Sequence, residues 1–339
     1  MQWNSPSFEN PYLYLPLLQN TSSLNLEAVE TVTPLISVAV PHSFVTIWNQ
    51  PPQNTMDANE LNQRLFMLGK GFSALIVAGR QKVTSREKSS PTDLVTDMDQ
   101  GIEMLFRIWI QTHYPHHKIV GEEGYKDTFC YNDITWFIDP IDGTRNFVEG
   151  NDNVTVHLGA IYCGKPYASY VGLPFYDRHY QLGDQIPQHH LPTRSESNLI
   201  LGSEFLSSRT TEAKLFNQLV TQFNATSHRK MSIGLSIIDT WYGDVDLFYK
   251  PFLKPWDAIA PLLLLIADSK SKYHCLFYSN ETKSLLNLFP LSPNLIDFWS
   301  NTCQSHCRVG HIILIHEQHL KKRDYITAAF DQMNLIEYL

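Results

Sequence analysis

No uninterrupted apolar run among the 339 residues approaches the ~20 needed for a membrane-spanning helix. Pro261–Ala267 is too short and reads as a buried helix. Positive charge is also scarce. Lys and Arg total 26 against 34 Asp and Glu, a net charge of −8, which argues against a generic nucleic-acid or anionic-membrane binder. Cysteine is sparse and odd in number: Cys130, Cys163, Cys275, Cys303 and Cys307 show no framework spacing, which favours a reducing compartment and a cytoplasmic setting. His306 lies between Cys303 and Cys307, but no second ligand pair follows, so zinc is set aside. A basic region followed by an apolar core is missing at the start, so no secretory signal is expected. The acceptor-like triplets at Asn153 and Asn224 therefore carry no weight.

Hydrophobic residues make up 43% and charged residues 18%, ordinary for a soluble globular protein. The length exceeds one average domain and suits two lobes sharing a core. Residues 1–56 are rich in Asn, Pro and Ser. They also carry aromatics and apolar runs such as Leu35–Val40, too many for a simple disordered tail. They are read as an extension that wraps the domain or covers a neighbouring subunit.

From residue 57 the pattern sharpens. Asp57 and Glu60 resemble a capping box. Leu61, Leu65, Leu68, Phe72 and Leu75 then mark one face of a packing helix. Gln81–Ser90 reads as a polar connection. Thr96 caps a second helix with Asp99 in its first turn and Ile102, Leu105, Phe106 and Trp109 on its buried face. His113, His116 and His117 gather where that helix ends, as complements to its C-terminus and not as ligands. Short strands are expected at Ile119–Val120, Val154–Tyr162, Tyr167–Val171, Asn198–Leu201, Asp246–Tyr249 and His311–Ile315, the second and third joined through Gly164-Lys165-Pro166. Gln185–Ser197 is a plausible boundary between lobes. Leu215, Phe216, Leu219, Val220 and Phe223 form another amphipathic face, and a terminal helix starts near Glu317.

The chemistry concentrates at Trp136-Phe137-Ile138-Asp139-Pro140-Ile141-Asp142-Gly143-Thr144-Arg145-Asn146-Phe147. Ile134–Ile138 reads as a buried strand that ends in Asp139, because Pro140 cannot extend a central ladder. Asp142-Gly143 then turns the chain and Thr144 starts a helix. Two carboxylates this close repel one another when buried, and a hard divalent cation such as Mg²⁺ removes the conflict. The Gly143 and Thr144 amides, at a helix N-terminus, suit a phosphate.

This stretch resembles the signature W-x-x-D-P-x-D-G-T-x-N-F of the inositol monophosphatase family. Two further pieces occur in family order: Ser89–Gln100 followed by Val120-Gly121-Glu122-Glu123, and later Pro255-Trp256-Asp257-Ala258. The resemblance implies an α/β layered sandwich of the sugar-phosphatase type, with most metal ligands in residues 57–187 and Asp257 and substrate contacts in residues 188–339. It implies two or three Mg²⁺ ions held by Glu122, Asp139, the Ile141 carbonyl, Asp142 and Asp257. It also implies a metal-activated water attacking in line, with no phospho-enzyme. Thr144 would orient that water with Asp99 as its partner, and Glu122 belongs to the same catalytic group, with Glu123 behind it. Substrate or phosphate contacts are implied for Gly143, Thr144, Asp142, Gly234, Ser236, Lys250 and Lys88. A homodimer and lithium inhibition are further family expectations.

Three departures bear on substrate. Lys250 stands where inositol-preferring relatives carry an acid, Leu235 replaces a small polar residue, and Ala258–Pro261 breaks the family's small-residue pattern. The leading expectation is hydrolysis of a small phosphate monoester, most simply inositol monophosphate. The alternatives are a 3′,5′-bisphosphate nucleotidase or fructose-1,6-bisphosphatase-like enzyme, and a non-catalytic binding protein on the same fold.

Overall fold

The computed structural model describes residues 42–54, 57–82, 85–90, 93–124, 127, 130–185, 198–205, 211–250, 253–279, 284–287 and 311–332. The Leu35–Val40 run, all but the first residue of the Gln185–Ser197 boundary up to 197, and the Cys303, His306 and Cys307 trio lie outside them.

Helix α1 (His42–Asn49) precedes the long α2 (Ala58–Gly79). Strands β1 (Ser85–Ser90) and β2 (Asp93–Thr96) lead into α3 (Asp97–His113). Strands β3 (Lys118–Gly121) and β4 (Thr135–Asp142), the short α4 (Thr144–Glu149), β5 (Thr155–Tyr162), β6 (Lys165–Leu173) and β7 (Arg178–Gln181) complete the first half. The second half comprises β8 (Ile200–Ser203), α5 (Thr211–Gln222), β9 (Thr226–His228), α6 (Ile233–Trp241), β10 (Leu247–Lys250), α7 (Pro255–Ala267), β11 (Tyr273–Ser279), β12 (Ser284–Asn287) and β13 (His311–His316). A 3₁₀ segment (Glu317–Lys322) and α8 (Arg323–Gln332) follow.

One sheet has the order β3-β4-β5-β6-β7, the other β12-β11-β13-β10-β8-β9. Helices α2 and α3 cover one face of the first sheet, and α7 and α6 lie between the two sheets. Helices α5 and α8 cover the outer face of the second. The alternation along each inner strand shows these layers. On β4, Trp136 and Ile138 enter the α2–α3 core while Phe137 enters the middle one. On β13, Ile312 and Leu314 face the middle core and Ile313 and Ile315 the outer one. Strands buried on both faces read as continuous apolar runs, as these do.

The structure corrects several local expectations. Strand β4 does not end at Asp139. It runs to Asp142, with two residues, Pro140 and Ile141, opposite the single Val156 of β5 between the pairs Asp139↔His157 and Asp142↔Thr155. Pro140 sits within this irregularity, where the missing N–H costs no ladder bond. The β5–β6 connection is Cys163-Gly164, both left-handed at φ 51° and 72°, which is the conformation a two-residue hairpin needs. Lys165 and Pro166 belong to the strand. The polar stretch before Ser90 is not a simple connection but pairs β1 with β2, from Ser85↔Thr96 to Ser90↔Asp93. Asp57 accepts from the Asn59 and Glu60 amides, but Glu60 binds the Gln53 and Asn54 amides instead of closing the box. The Asn198–Leu201 strand is shifted to Ile200–Ser203.

Part of the N-terminal extension packs on the domain. Phe44 and Trp48 of α1 are buried against α2 and α3. Arg64 donates to the Ile47 and Gln50 carbonyls, and His113 contacts the Trp48 carbonyl at 2.8 Å.

His117 takes a structural part. Its Nδ1 accepts from Trp136 Nε1 at 3.0 Å, and its ring stacks on Tyr114 at 5.0 Å. Burial, with help from His116 and against Asp133, pushes its pKa from 6.5 down to about 4. On acidification the unfolded chain therefore takes up this proton first, so the contribution is complete above pH 6.5 and is lost between 6.5 and about 4. The loss is on the order of 1–2 kcal/mol, after discounting for the part of the ring that keeps solvent. Asn in place of His117 retains an acceptor for Trp136, so chemical denaturation at a series of pH values is expected to show a shallower acid slope for His117→Asn. An unchanged slope would assign the effect elsewhere.

Candidate active site

Three chain segments deliver the carboxylates. Glu122 leaves the end of β3, with its amide on the Ile138 carbonyl at 3.3 Å. Asp139 and Asp142 come from the irregular end of β4, and Asp257 from the first turn of α7, where it accepts from the Lys254 amide at 3.1 Å. One carboxylate oxygen each from Glu122, Asp139 and Asp257 lies within 4.8 Å of the others. Among the described residues no other group of three acidic, His or Cys side chains approaches so closely.

Electrostatics make this arrangement costly without a counter-ion. Burial, then Glu122, Asp142 and Asp257, push the Asp139 carboxyl well above the ordinary range. Burial, then Glu122 and Asp142, push Asp257 up to about 8, with Lys250 and the Lys254 amide opposing. A cluster of hard oxygen donors held against its own repulsion fits a divalent cation. The residues present therefore suit the group that the resemblance implies.

Asp142 is held differently. Its Oδ2 accepts from Thr155 Oγ1 at 2.7 Å, Ser232 Oγ at 2.6 Å and the Gly234 amide at 2.8 Å, and its Oδ1 from the Ile233 amide at 3.1 Å. Two of these donors are the free amides at the start of α6, where a helix favours negative charge. A Cβ on Gly234 would lie 2.0 Å from His157 Nε2, so only glycine allows this approach.

Thr144 opens α4, after Gly143 at φ +85°, where a side chain would come within 2.8 Å of the Asn153 carbonyl. Thr144 Oγ1 lies 2.9 Å from the Ile141 carbonyl and 3.3 Å from Asp99 Oδ1. Asp99 is wholly buried, and its Oδ2 accepts from the Thr96 amide and hydroxyl in a complete capping box. The structure thus joins Asp99 to Thr144 and fixes both. Asn146 pins the same turn by donating to the Asn153, Lys230 and Met231 carbonyls.

Other expected residues sit further back. Ser236 is fully buried and donates to Glu204 Oε1 at 2.6 Å. Lys250, half-buried at the end of β10, donates to the Glu204 carbonyl at 2.6 Å. Leu235 joins the middle core. Lys88 belongs to β1, and its side chain lies outside those described.

Sequence reasoning missed Glu103, Thr155, His157 and Glu204. Glu103 accepts from the Glu123 amide at 2.7 Å, beneath the turn that carries Glu122. It lies four residues after Asp99 on the buried side of α3, and two acids so placed on a core-facing stripe were the available signal.

The comparisons with known proteins bear on the family and the fold. The model of the Inositol monophosphatase family matches residues 61–267. Inositol-1-monophosphatase of Bacillus subtilis (strain 168) is 28% identical over 196 residues, covering 55% of this chain and 74% of that protein. Inositol monophosphatase 2 of Solanum lycopersicum is 31% identical over 213 residues, covering 58% of this chain and 80% of that protein. A solved IMPase/NADP phosphatase complexed with Mg²⁺ and phosphate shares the fold, with a TM-score of 0.63 at 18% identity over 80% of this chain and 95% of that one. The chain belongs to the inositol monophosphatase family, a family of phosphoric monoester hydrolases.

Proposed function

We propose that this chain is a Mg²⁺-dependent phosphatase that hydrolyses a small phosphate monoester, inositol monophosphate being the simplest candidate. The observation that carries the reading is the meeting of Glu122, Asp139 and Asp257 within 4.8 Å. These three, with Asp142 and the Ile141 carbonyl, would hold the cations. Divalent cations supply charge neutralisation at the phosphoryl oxygens and make water acidic enough to attack near neutral pH. Thr144 Oγ1, 2.9 Å from the Ile141 carbonyl and 3.3 Å from Asp99 Oδ1, would accept a hydrogen bond from the attacking water and turn its own proton to Asp99, so that a proton leaving the water would have a carboxylate at the end of its path. The Gly143 and Thr144 amides, at the start of α4, would meet phosphoryl oxygens. All the carboxylates expected of a catalyst are retained, which argues against the binding-protein alternative.

A second reading within the class has its own support. Lys250 stands close enough to Asp257 for its charge to oppose the rise of that carboxyl's pKa. An ammonium beside the site favours a substrate with a second anionic group, such as a sugar or nucleotide bisphosphate. Phosphate release from a panel of monophosphates and bisphosphates, with Mg²⁺ and with chelator, tests both. Release that needs Mg²⁺ is expected. No release from any substrate with Mg²⁺ present would overturn the reading. On the second reading, Lys250→Glu lowers kcat/KM for bisphosphates by about tenfold or more relative to inositol monophosphate. Equal losses on both substrates would remove that reading.

A further inference from the structure

Helix α7 contains a proline at Pro261, four residues after Asp257. Proline has no N–H, so the Asp257 carbonyl loses its helical donor, and the ring also crowds that carbonyl. The first turn of α7, which must aim Asp257, is thereby deprived of part of its own support. The neighbouring strand supplies a replacement. His157 of β5 is fully buried, and its Nδ1 lies 3.3 Å from the Trp256 carbonyl. The Asp257 carbonyl is the next along the same turn and faces the same ring. Its other nitrogen, Nε2, accepts when Nδ1 carries the hydrogen, so the single Thr155 hydroxyl proton is shared between Nε2 at 2.9 Å and Asp142 Oδ2 at 2.7 Å.

We propose that His157 is a positioning residue that ties the two carboxylate carriers together, holding Asp142 through Thr155 and the turn of Asp257 through the Trp256 carbonyl, next to the Asp257 carbonyl that Pro261 deprives of its donor. The inference rests on the metal reading above. It assigns His157 no contact with substrate and no proton transfer. Partners behind metal ligands of this kind typically matter about 10- to 100-fold in metal affinity.

The test is calorimetric titration of Mg²⁺ alone into the full chain, with melting temperature recorded for each variant. His157→Gln keeps a group near Thr155 and abandons the α7 carbonyls. It is expected to weaken Mg²⁺ binding by about 10- to 100-fold. Pro261→Ala returns an N–H to the Asp257 carbonyl, so the double variant is expected to recover about tenfold of that loss. Thr155→Val is expected to weaken binding while Thr155→Ser does not, and this pair decides the matter if His157→Gln fails to fold. Unchanged Mg²⁺ affinity in His157→Gln or Thr155→Val, with only the melting temperature lowered, would overturn the proposal, as would the absence of rescue by Pro261→Ala. A wild-type chain that takes up no Mg²⁺ would instead remove the metal reading itself, and this inference with it.

Discussion

Asp139→Asn is expected to lower phosphate release on the order of a thousandfold while raising the melting temperature of the metal-free protein. The two effects share one cause. Asp139 is buried, with Glu122, Asp142 and Asp257 all acting to raise its pKa. A carboxyl whose folded pKa lies above its unfolded value destabilises the fold at any pH above the unfolded value, here 3.8, and the penalty disappears as the solution becomes more acidic than that. Asn keeps an acceptor for the Ile141 amide, which sits 3.1 Å from Asp139 Oδ1, and removes the charge. Without metal, the variant therefore gains stability near neutral pH. With Mg²⁺ the order reverses, because the wild type gains binding energy that the variant has lost. Differential scanning of both proteins with and without Mg²⁺, beside a phosphate-release assay, reads all four states. Substantial turnover in Asp139→Asn would refute its role as a ligand. A lower melting temperature without metal would show that the charge supports the fold.

Thr144→Val is expected to lower kcat by about 10²- to 10⁴-fold with Mg²⁺ affinity retained. Valine matches threonine in shape and lacks the hydroxyl that lies 3.3 Å from Asp99 and 2.9 Å from the Ile141 carbonyl. The carboxylate cluster is not built on that hydroxyl, so loss of turnover should separate from loss of metal. Thr144→Ser restores the hydroxyl and is expected to restore most of the rate. Asp99→Asn is a less clean probe, because Asp99 also closes the capping box of α3 through Thr96. Paired kcat and Mg²⁺ measurements on the two Thr144 variants decide the point. A Thr144→Val enzyme with wild-type kcat would take the water-positioning role away from this residue.

The carboxylates were legible because their chemistry is local. Asp139, Asp142 and Thr144 lie within six positions, and the family resemblance added Glu122, Asp99 and Asp257; the structure gathers Glu122, Asp139 and Asp257 and joins Asp99 to Thr144. The layered α/β fold was also legible through that resemblance, whereas the apolar runs gave only its strands and helices. The support behind the site was not legible. Thr155 and His157 alternate with Val154, Val156 and Leu158, which is how a strand with one wet face reads. In the structure that polar face is covered by α6 and α7, and Thr155 and His157 are both completely buried. The dependence of the Asp257 turn on a strand a hundred residues earlier leaves no local pattern. The β1–β2 hairpin escaped for a different reason. It forms its own two-stranded sheet from a polar sequence without period-2 alternation, so backbone pairing carries it. At Pro140 a sound local rule gave the wrong boundary, because an irregular ladder admits a residue that a regular one excludes.

If Glu122, Asp139 and Asp257 together hold a cation, the ion itself can be located. Anomalous diffraction from crystals soaked in Mn²⁺, a hard divalent stand-in for Mg²⁺, tests it most directly. A strong peak is expected within ~2.5 Å of a carboxylate oxygen from each of the three residues. A protein that hydrolyses phosphate monoesters yet shows no peak there, or binds its ion at a different set of side chains, would contradict it.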